Sequence, residues 1–519
     1  MMRKIVVEFG LAVLLGAMAG PAMGQLPAEK PAPFSQMPQG QGACAVGNTC
    51  ADVAPGIIAR AQGPGPIEEN LRQLTDVIGG RMTGSAAANQ AAAWAVRAMK
   101  QEGIEDVHTE EFTIPAGWSE GNTSVRVLAP EAFPVRAVSN PWVPATPAGG
   151  ISALVVDVEK GDEAGFRKAA GRTKGAIVLV ESNPLVTWDD LLEEYLVNAG
   201  IEERAEKAGA AAIFWMSTRP NLLLYRHTLT LDGTLAKLPQ AIVAREDALR
   251  MERLLAAGAE LRVHLELPNQ VTGAVKSLNV VGEIRGREKP EEFVILGAHL
   301  DSWELGTGAL DNGCNAAMVI DAARVIEGSG SIPRRSIRFV LFTGEEQGLL
   351  GSEAYARAHR AELDQMVAVV IFDAGTGRTT GYSLGGREDV AKAVHEAMLP
   401  SESLGIMKQT LDANIGTDNL DFLLEGVPTL VANQEPANYM LNYHAASDTY
   451  DKVDFKELKR NTALAAVTVY GLADAEQRIG IRQTRAEIEL LLRGTGLDSQ
   501  MKRSGLWPAW VDGQRGRKD

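Results

Sequence analysis

Positive charge is scarce in this chain. Its 519 residues hold 51 Lys and Arg against 66 Asp and Glu, giving a formal net charge of −15 and a pI near 5.1. No basic stripe interleaved with aromatics appears. That argues against a nucleic-acid binder, because phosphate contacts need clustered Lys and Arg. Long hydrophobic runs are also missing. The one sustained apolar stretch, residues 9–19, is too short to cross a bilayer, for which about 20 apolar residues are needed. Cysteine is nearly absent, with three residues in all, Cys44, Cys50 and Cys314. None follows the apolar stretch closely, which argues against a lipid anchor. Cys44 and Cys50 are spaced to close a small disulfide loop in an exported protein. Cys314 lies in an apolar helical stretch and reads as a buried small residue, not as a nucleophile.

What is present starts with a leader. Arg3 and Lys4 precede the apolar stretch, which ends in small residues around Ala22 and Gly24. This is the layout of a secretory signal peptide, and it predicts a secreted or periplasmic protein with no membrane anchor after cleavage. Hydrophobic residues make up 45% of the chain and charged residues 23%, enough for a large core under an ordinary soluble surface. The length predicts two to four domains.

Composition divides the chain further. Residues 1–24 are the signal peptide, and 25–65 are a Pro-, Gly-, Gln- and Ala-rich extension with little regular structure. Residues 66–122 open a main domain, with an amphipathic helix over 85–101 and a strand over 107–114. Residues 123–270 change texture: short β-rich runs, Pro-rich turns and one helix over 201–208, with no catalytic cluster, read as an inserted α/β domain. The main domain resumes over 271–477, and 478–519 form a tail.

In that resumed part, four apolar runs have strand character: 293–298, 337–342, 367–372 and 429–432. Helical patterns such as 315–326 and 352–359 separate them. The alternation predicts an α/β fold, a mostly parallel mixed sheet with helices on both faces. In such sheets ligands bind beyond the carboxyl ends of the strands. There stand His299, then Glu345 and Glu346, then Asp373, and in a further loop His444. The chain has only seven His, and two of them fall at such places. Asp311 lies between them in a tight turn, Gly308-Ala309-Leu310-Asp311-Asn312-Gly313, where it could also cap the next helix.

This set suits hydrolysis. His nitrogens and carboxylate oxygens favour Zn²⁺ or similar ions. Two ions about 3.5–4 Å apart can share a bridging carboxylate and a bridging water. Adjacent glutamates can divide the work, since successive side chains on a helical turn point about 100° apart. One of Glu345 and Glu346 can bind metal while the other takes a proton; the spacing does not say which. Asp301 is placed to orient the His299 ring and Asp448 that of His444.

The motifs Gly297-Ala298-His299-Leu300-Asp301-Ser302-Trp303, Thr343-Gly344-Glu345-Glu346-Gln347-Gly348, Phe372-Asp373-Ala374-Gly375, Gly416-Thr417-Asp418 and Tyr443-His444 resemble the M28 family of zinc peptidases, in particular its carboxypeptidase Q-like branch. The likeness runs from about residue 65 to 475. It implies a zinc-exopeptidase fold and two Zn²⁺ per chain. One ion would be held by His299 and Asp373, the other by Glu346 and His444, with Asp311 bridging and Glu345 as the general base. It implies a cis peptide at Asp311-Asn312, a protease-associated character for the insert, and a role for Tyr443 in steadying the tetrahedral intermediate. The substrate class would be short peptides or dipeptides with a free N-terminus. Glu304 and Asp418 are candidates to hold an ammonium, and Arg378 a candidate for a carboxylate. Other readings are an aminopeptidase on longer peptides, a glutaminyl cyclase-like transferase and a receptor-like relative without metals. The oligomeric state stays open, a homodimer included.

Overall fold

Alternate side chains of the strand Lys289–His299 enter two different cores, the mark of a central strand covered on both faces. Phe293 and Ile295 face one core, and Val294, Leu296 and Ala298 the other. This computed structural model describes residues 50–518, Leu229 and Ile406 excepted. The expected leader, residues 25–49 of the expected extension, and the Cys44 half of the expected disulfide lie outside the described residues. Cys50 lies inside them, its thiol donating to the Val467 carbonyl at 3.7 Å.

Seven strands form the main sheet: β1 (Asp106–Ile114), β2 (Val275–Ile284), β3 (Lys289–His299), β4 (Arg335–Phe342), β5 (Met366–Ile371), β6 (Thr379–Ser383) and β7 (Thr429–Gln434). Their order is β1-β2-β4-β3-β5-β7-β6. The four middle strands run parallel, and β1, β2 and β6 pair antiparallel at the flanks. The parallel centre is the part that the four apolar runs predict. The flanking strands are less continuously apolar, and β6 carries Thr379, Thr380 and Gly381.

Helices cover both faces. On one lie α1 (Cys50–Gln62), α2 (Ala86–Gln101) and, across the chain, two further helices at Cys314–Glu327 and Phe455–Asp474. Ser85 caps α2 by accepting from the Ala88 amide at 3.1 Å. Helix α1 corrects the expectation of an unstructured extension. Pro55-Gly56 reads locally as a turn, but Val53, Ala54, Ile57 and Ala61 repeat on one helical face and are buried in the main core. Tertiary packing overrides the local signal.

Residues 124–266 supply a second, eight-stranded sheet, none of whose strands joins the main one. Its centre is a parallel ladder of Ile151–Asp157, Ile177–Val180, Ala212–Met216 and Gln240–Val243. The expected helix over 201–208 is much longer: α3 spans Trp188–Lys207. A capping box between Thr187 and Asp190 sets its start. The tail folds as well, into α4 (Arg485–Thr495), α5 (Leu497–Ser504) and α6 (Trp507–Val511). Among the described residues, no helix is long and apolar enough to cross a membrane.

Candidate metal centre

Strand register decides which side chains meet. Phe342 of β4 lies level with His299 of β3, and Ile371 of β5 level with Gly297. Asp373, two residues on, therefore reaches the height of His299, while the chain after Phe342 turns over the sheet end with Glu345 and Glu346. His299 Nε2 lies 3.1 Å from Asp311 Oδ1 and 3.0 Å from Asp373 Oδ1. His444 Nε2 lies 2.9 Å from Glu346 Oε2 and 3.2 Å from Asp311 Oδ2. Two three-residue clusters result, sharing Asp311, each with its donor atoms within 4.8 Å of one another. The peptide Asp311-Asn312 is cis. Glu346 is in a cluster; Glu345 is in neither and instead lines the adjoining cavity.

Both imidazoles are oriented from behind. His299 Nδ1 lies 3.0 Å from the Asp301 carbonyl oxygen, and His444 Nδ1 lies 3.0 Å from the Arg226 carbonyl oxygen. An Nδ1–H donated to a carbonyl leaves the Nε2 lone pair facing the carboxylates, the tautomer a metal ligand needs. This corrects two expectations. The Asp301 carboxylate is 3.6 Å from His299 Nδ1, too far to hydrogen-bond it; the residue's own carbonyl does so. Its Oδ2 accepts instead from Thr83 Oγ1 at 2.5 Å. Asp448 does not touch the His444 ring nitrogens. It accepts from the Leu310 and Asp311 amides at 2.7 and 3.0 Å and so holds the turn that presents Asp311.

The loop from His299 to Asp311 is clamped by Arg81, a residue that sequence reading passed over. Its buried guanidinium donates to the carbonyls of Leu300, Thr307 and Gly308 at 2.7, 2.7 and 2.8 Å. Gly308 has φ 59°, and a Cβ there would meet Ser302 Cβ at 2.2 Å, so only glycine fits. The stretch Gly79-Gly80-Arg81-Met82-Thr83-Gly84 was the available signal, glycine-rich around one cation.

The electrostatics call for a cation. Glu345 is pushed well above the usual carboxylate range by burial, reinforced by the charges of Asp373, Glu346 and Asp418 against the pull of His299. Glu346 is pushed up to about 7, again by burial first. For His444, burial is outweighed by the Glu346 charge and the contact with Asp311, and it rises to about 9. Asp311 moves down, its burial outweighed by hydrogen bonds from the two rings. Carboxylates crowded in a buried site are short of positive charge, and a bound ion would be the largest local charge and reverse much of this. Glu346 Oε1 is a buried acceptor without a hydrogen bond, its lone pairs spare. Donor types, spacing and these spare lone pairs fit borderline divalent ions such as zinc.

The clusters open on a cavity of about 1060 Å³. Tyr443 lines it, its ring stacked on His444 at 3.7 Å between centroids and its hydroxyl against that of Tyr195 from α3. Three expected substrate contacts are elsewhere. Glu304 is paired with Arg226 at 2.7 Å, Arg378 with Glu435 at 2.5 Å, and Asp418 is fully buried; none of the three lines the cavity. No Lys or Arg is among the lining residues, whereas Asp189 and Asp412 are.

A model of peptidase family M28 matches residues 279–469. Carboxypeptidase Q of Mus musculus is 31% identical over 414 residues, 79% of this chain and 86% of that one. Aminopeptidase YwaD of Bacillus subtilis (strain 168) is 25% identical over 426 residues, 79% of this chain and 84% of that one. The solved structure of a peptidase M28 precursor from Shewanella amazonensis SB2B aligns with TM-score 0.76 at 28% identity, covering 84% of this chain and 99% of that one. The chain belongs to peptidase family M28 and is an enzyme, a metallopeptidase.

Proposed function

We propose that this chain is a secreted or periplasmic exopeptidase that binds two Zn²⁺ and hydrolyses short peptides or dipeptides with an unblocked N-terminus. The observation that carries the reading is the pair of clusters sharing Asp311, with Glu345 beside them on the cavity wall. His299 and Asp373 would hold one ion and Glu346 and His444 the other, with Asp311 shared between the two sets. Bound zinc supplies Lewis acidity, polarising a carbonyl and acidifying a water. Glu345, left out of both clusters, takes the proton from the attacking water and returns it to the leaving amine. Tyr443 places a hydroxyl beside His444, where it donates to the oxygen that gains negative charge. The buried carbonyls of Asp301 and Arg226 keep both rings aimed. Residues 123–270 act as a protease-associated-like domain beside this centre, and peptides are the partners.

An acidic cavity without Lys or Arg favours a substrate ammonium over a substrate carboxylate. Elemental analysis of zinc-restored protein, paired with hydrolysis of Leu-Leu and its N-acetyl and C-amide forms, tests the proposal. Two zinc per chain, loss on acetylation and tolerance of amidation are expected. One ion or none, or indifference to acetylation, overturns it. Loss on both modifications would favour a strict dipeptidase.

A further inference from the structure

The family match ends at residue 469, yet the chain beyond it builds part of the cleft. Leu491, Gly494 and Thr495 of α4, Gln500 of α5 and Leu506 line the same cavity as His299, Asp311 and Glu346. The tail is fixed there on several counts. Ile488, Leu492, Leu497, Met501 and Trp510 are buried in one apolar cluster with Leu196 of α3 and Leu420. Arg515 gives a two-pronged contact to Asp421 at 2.7 and 2.9 Å, with both side chains buried. Arg503 does the same to Glu193 of α3 at 2.9 and 2.7 Å. Gln500 Nε2 donates to the Ala413 carbonyl at 3.3 Å. A wall held by a core, two ion pairs and a backbone contact is preorganised to bind and not merely draped over the opening.

The chemistry of this wall differs from that of the metal centre. Leu491 and Leu506 of the tail, Leu192 of α3, and Leu411 and Ile415 of the facing loop all line the cavity. Leu411 is 46% exposed, a large apolar side chain left uncovered inside a cleft. We propose that the C-terminal segment forms a specificity subsite for the apolar side chain of the substrate's N-terminal residue. This rests on the exopeptidase reading above. Such pockets join apolar walls to a few placed polar groups, here Asp412 between Leu411 and Ala413 and the spare amide oxygen of Gln500. Lacking any cation, the wall has nothing to hold an acidic side chain or a terminal carboxylate. Discrimination by such a wall comes from the methylenes that it removes from water.

Gly494 offers a way to fill the subsite without breaking the fold. It lies in α4 at ordinary helical geometry, lines the cavity, and an added Cβ would meet nothing within 4 Å. Replacing a helical glycine also favours the helix. Leu490, on the same helix and 70% exposed, does not line the cavity and gives the control.

The experiment uses the zinc-loaded full chain, with calorimetric binding of leucinamide and glycinamide read beside kcat/KM on Leu-Leu and Gly-Gly. The native chain should favour leucinamide by about tenfold or more, the usual worth of an apolar pocket for added methylenes. Gly494→Trp should bring leucinamide to within a few-fold of glycinamide and raise KM for Leu-Leu more than for Gly-Gly, while Leu490→Trp keeps the native ratios. Equal binding of the two amides by the native chain would overturn the subsite. So would a native ratio in Gly494→Trp. If the amide ratios behave as expected but neither dipeptide is cleaved, the exopeptidase reading falls and the subsite stands.

Discussion

The two clusters of the candidate metal centre are built differently. The His299 half is local: ring, orienting carbonyl and Asp373 all come from the ends of adjacent strands β3 and β5, in register. The His444 half is long-range. Its ring sits on a loop at positive φ of 58° and is oriented by the carbonyl of Arg226, a residue of the inserted segment 218 positions away. The Arg226 amide returns a bond to the His444 carbonyl at 2.9 Å, and Tyr225 bridges to Ala445. Arg219 adds a contact to the Tyr443 carbonyl at 3.0 Å. A local half inherits its accuracy from the sheet. A long-range half is only as accurate as the docking of the segment that orients it, so damage to the insert should reach one metal before the other.

The comparison can first be tested where it should fail. Glu345 belongs to neither half, so Glu345→Gln should leave both metals bound and lower kcat by about 10²- to 10⁴-fold, the usual worth of a positioned general base. Steady-state kinetics with elemental analysis checks both statements. A near-native rate would remove Glu345 from the reaction, and loss of metal would make it a ligand. Within the halves, His444→Ala should leave one strongly held ion per chain while Asp311→Ala, which touches both rings, should leave neither tightly held. Titration with a chelator reads the difference as one weak class of site against two.

Next in size is Arg226→Ala. The guanidinium bonds Glu304 at 2.7 Å and Glu120 at 2.5 Å. Removing it leaves both carboxylates without their cation, though Glu120 keeps bonds from Thr123 and the Ser139 amide, and Glu304 and Glu120 are 29% and 17% exposed and so partly relieved by water. A loss of about 3 kcal/mol is expected, the low end for breaking a buried pair. Denaturant melts check the stability. The sharper readout is metal content, which should fall first at the Glu346–His444 half. Equal weakening of both halves would show that the insert supports the whole floor of the site.

The same contrast explains what was legible in the sequence. The strands under the candidate metal centre are continuous apolar runs followed at once by His299, the Glu345-Glu346 pair and Asp373, so the parallel core and these candidates could be read by position, while the choice between the two glutamates and the bridging place of Asp311 came only from the family resemblance. The walls could not. Leu491 and Leu506 look like ordinary helical apolar residues, and only the packing of α4 to α6 against α3 turns them toward the cavity. Tyr195 is invisible for the same reason, lying on α3 ahead of the 201–208 stretch that reads as helical. Arg378 and Asp418 illustrate the opposite error. Their charges made them candidates for substrate contacts, but side-chain direction sends Arg378 to Glu435 and buries Asp418. Spacing locates a ligand on a strand end, where the backbone fixes direction; it does not locate a side chain on a loop.

The smallest expected effect tests a hydroxyl that joins the two halves from behind. Thr83 Oγ1 donates to Asp301 Oδ2 at 2.5 Å, on the His299 side, and accepts from the Gly344 amide at 3.2 Å, in the turn that carries Glu345 and Glu346. Asp301 Oδ2 also lies 3.4 Å from the Glu346 amide. Thr83→Val keeps the shape and removes the donor, leaving a buried carboxylate oxygen with a single long contact. A cost of about 1–2 kcal/mol follows from an unsatisfied buried acceptor. Because the tie reaches both halves, zinc affinity should fall at each, and by similar factors of about ten, as is usual when a partner behind the ligands is lost. Thr83→Ser, which restores the hydroxyl, should recover most of it. If Thr83→Val weakens zinc binding at only one of the two clusters, the halves are independent in fact as well as in construction, and the shared Asp311 is what couples them.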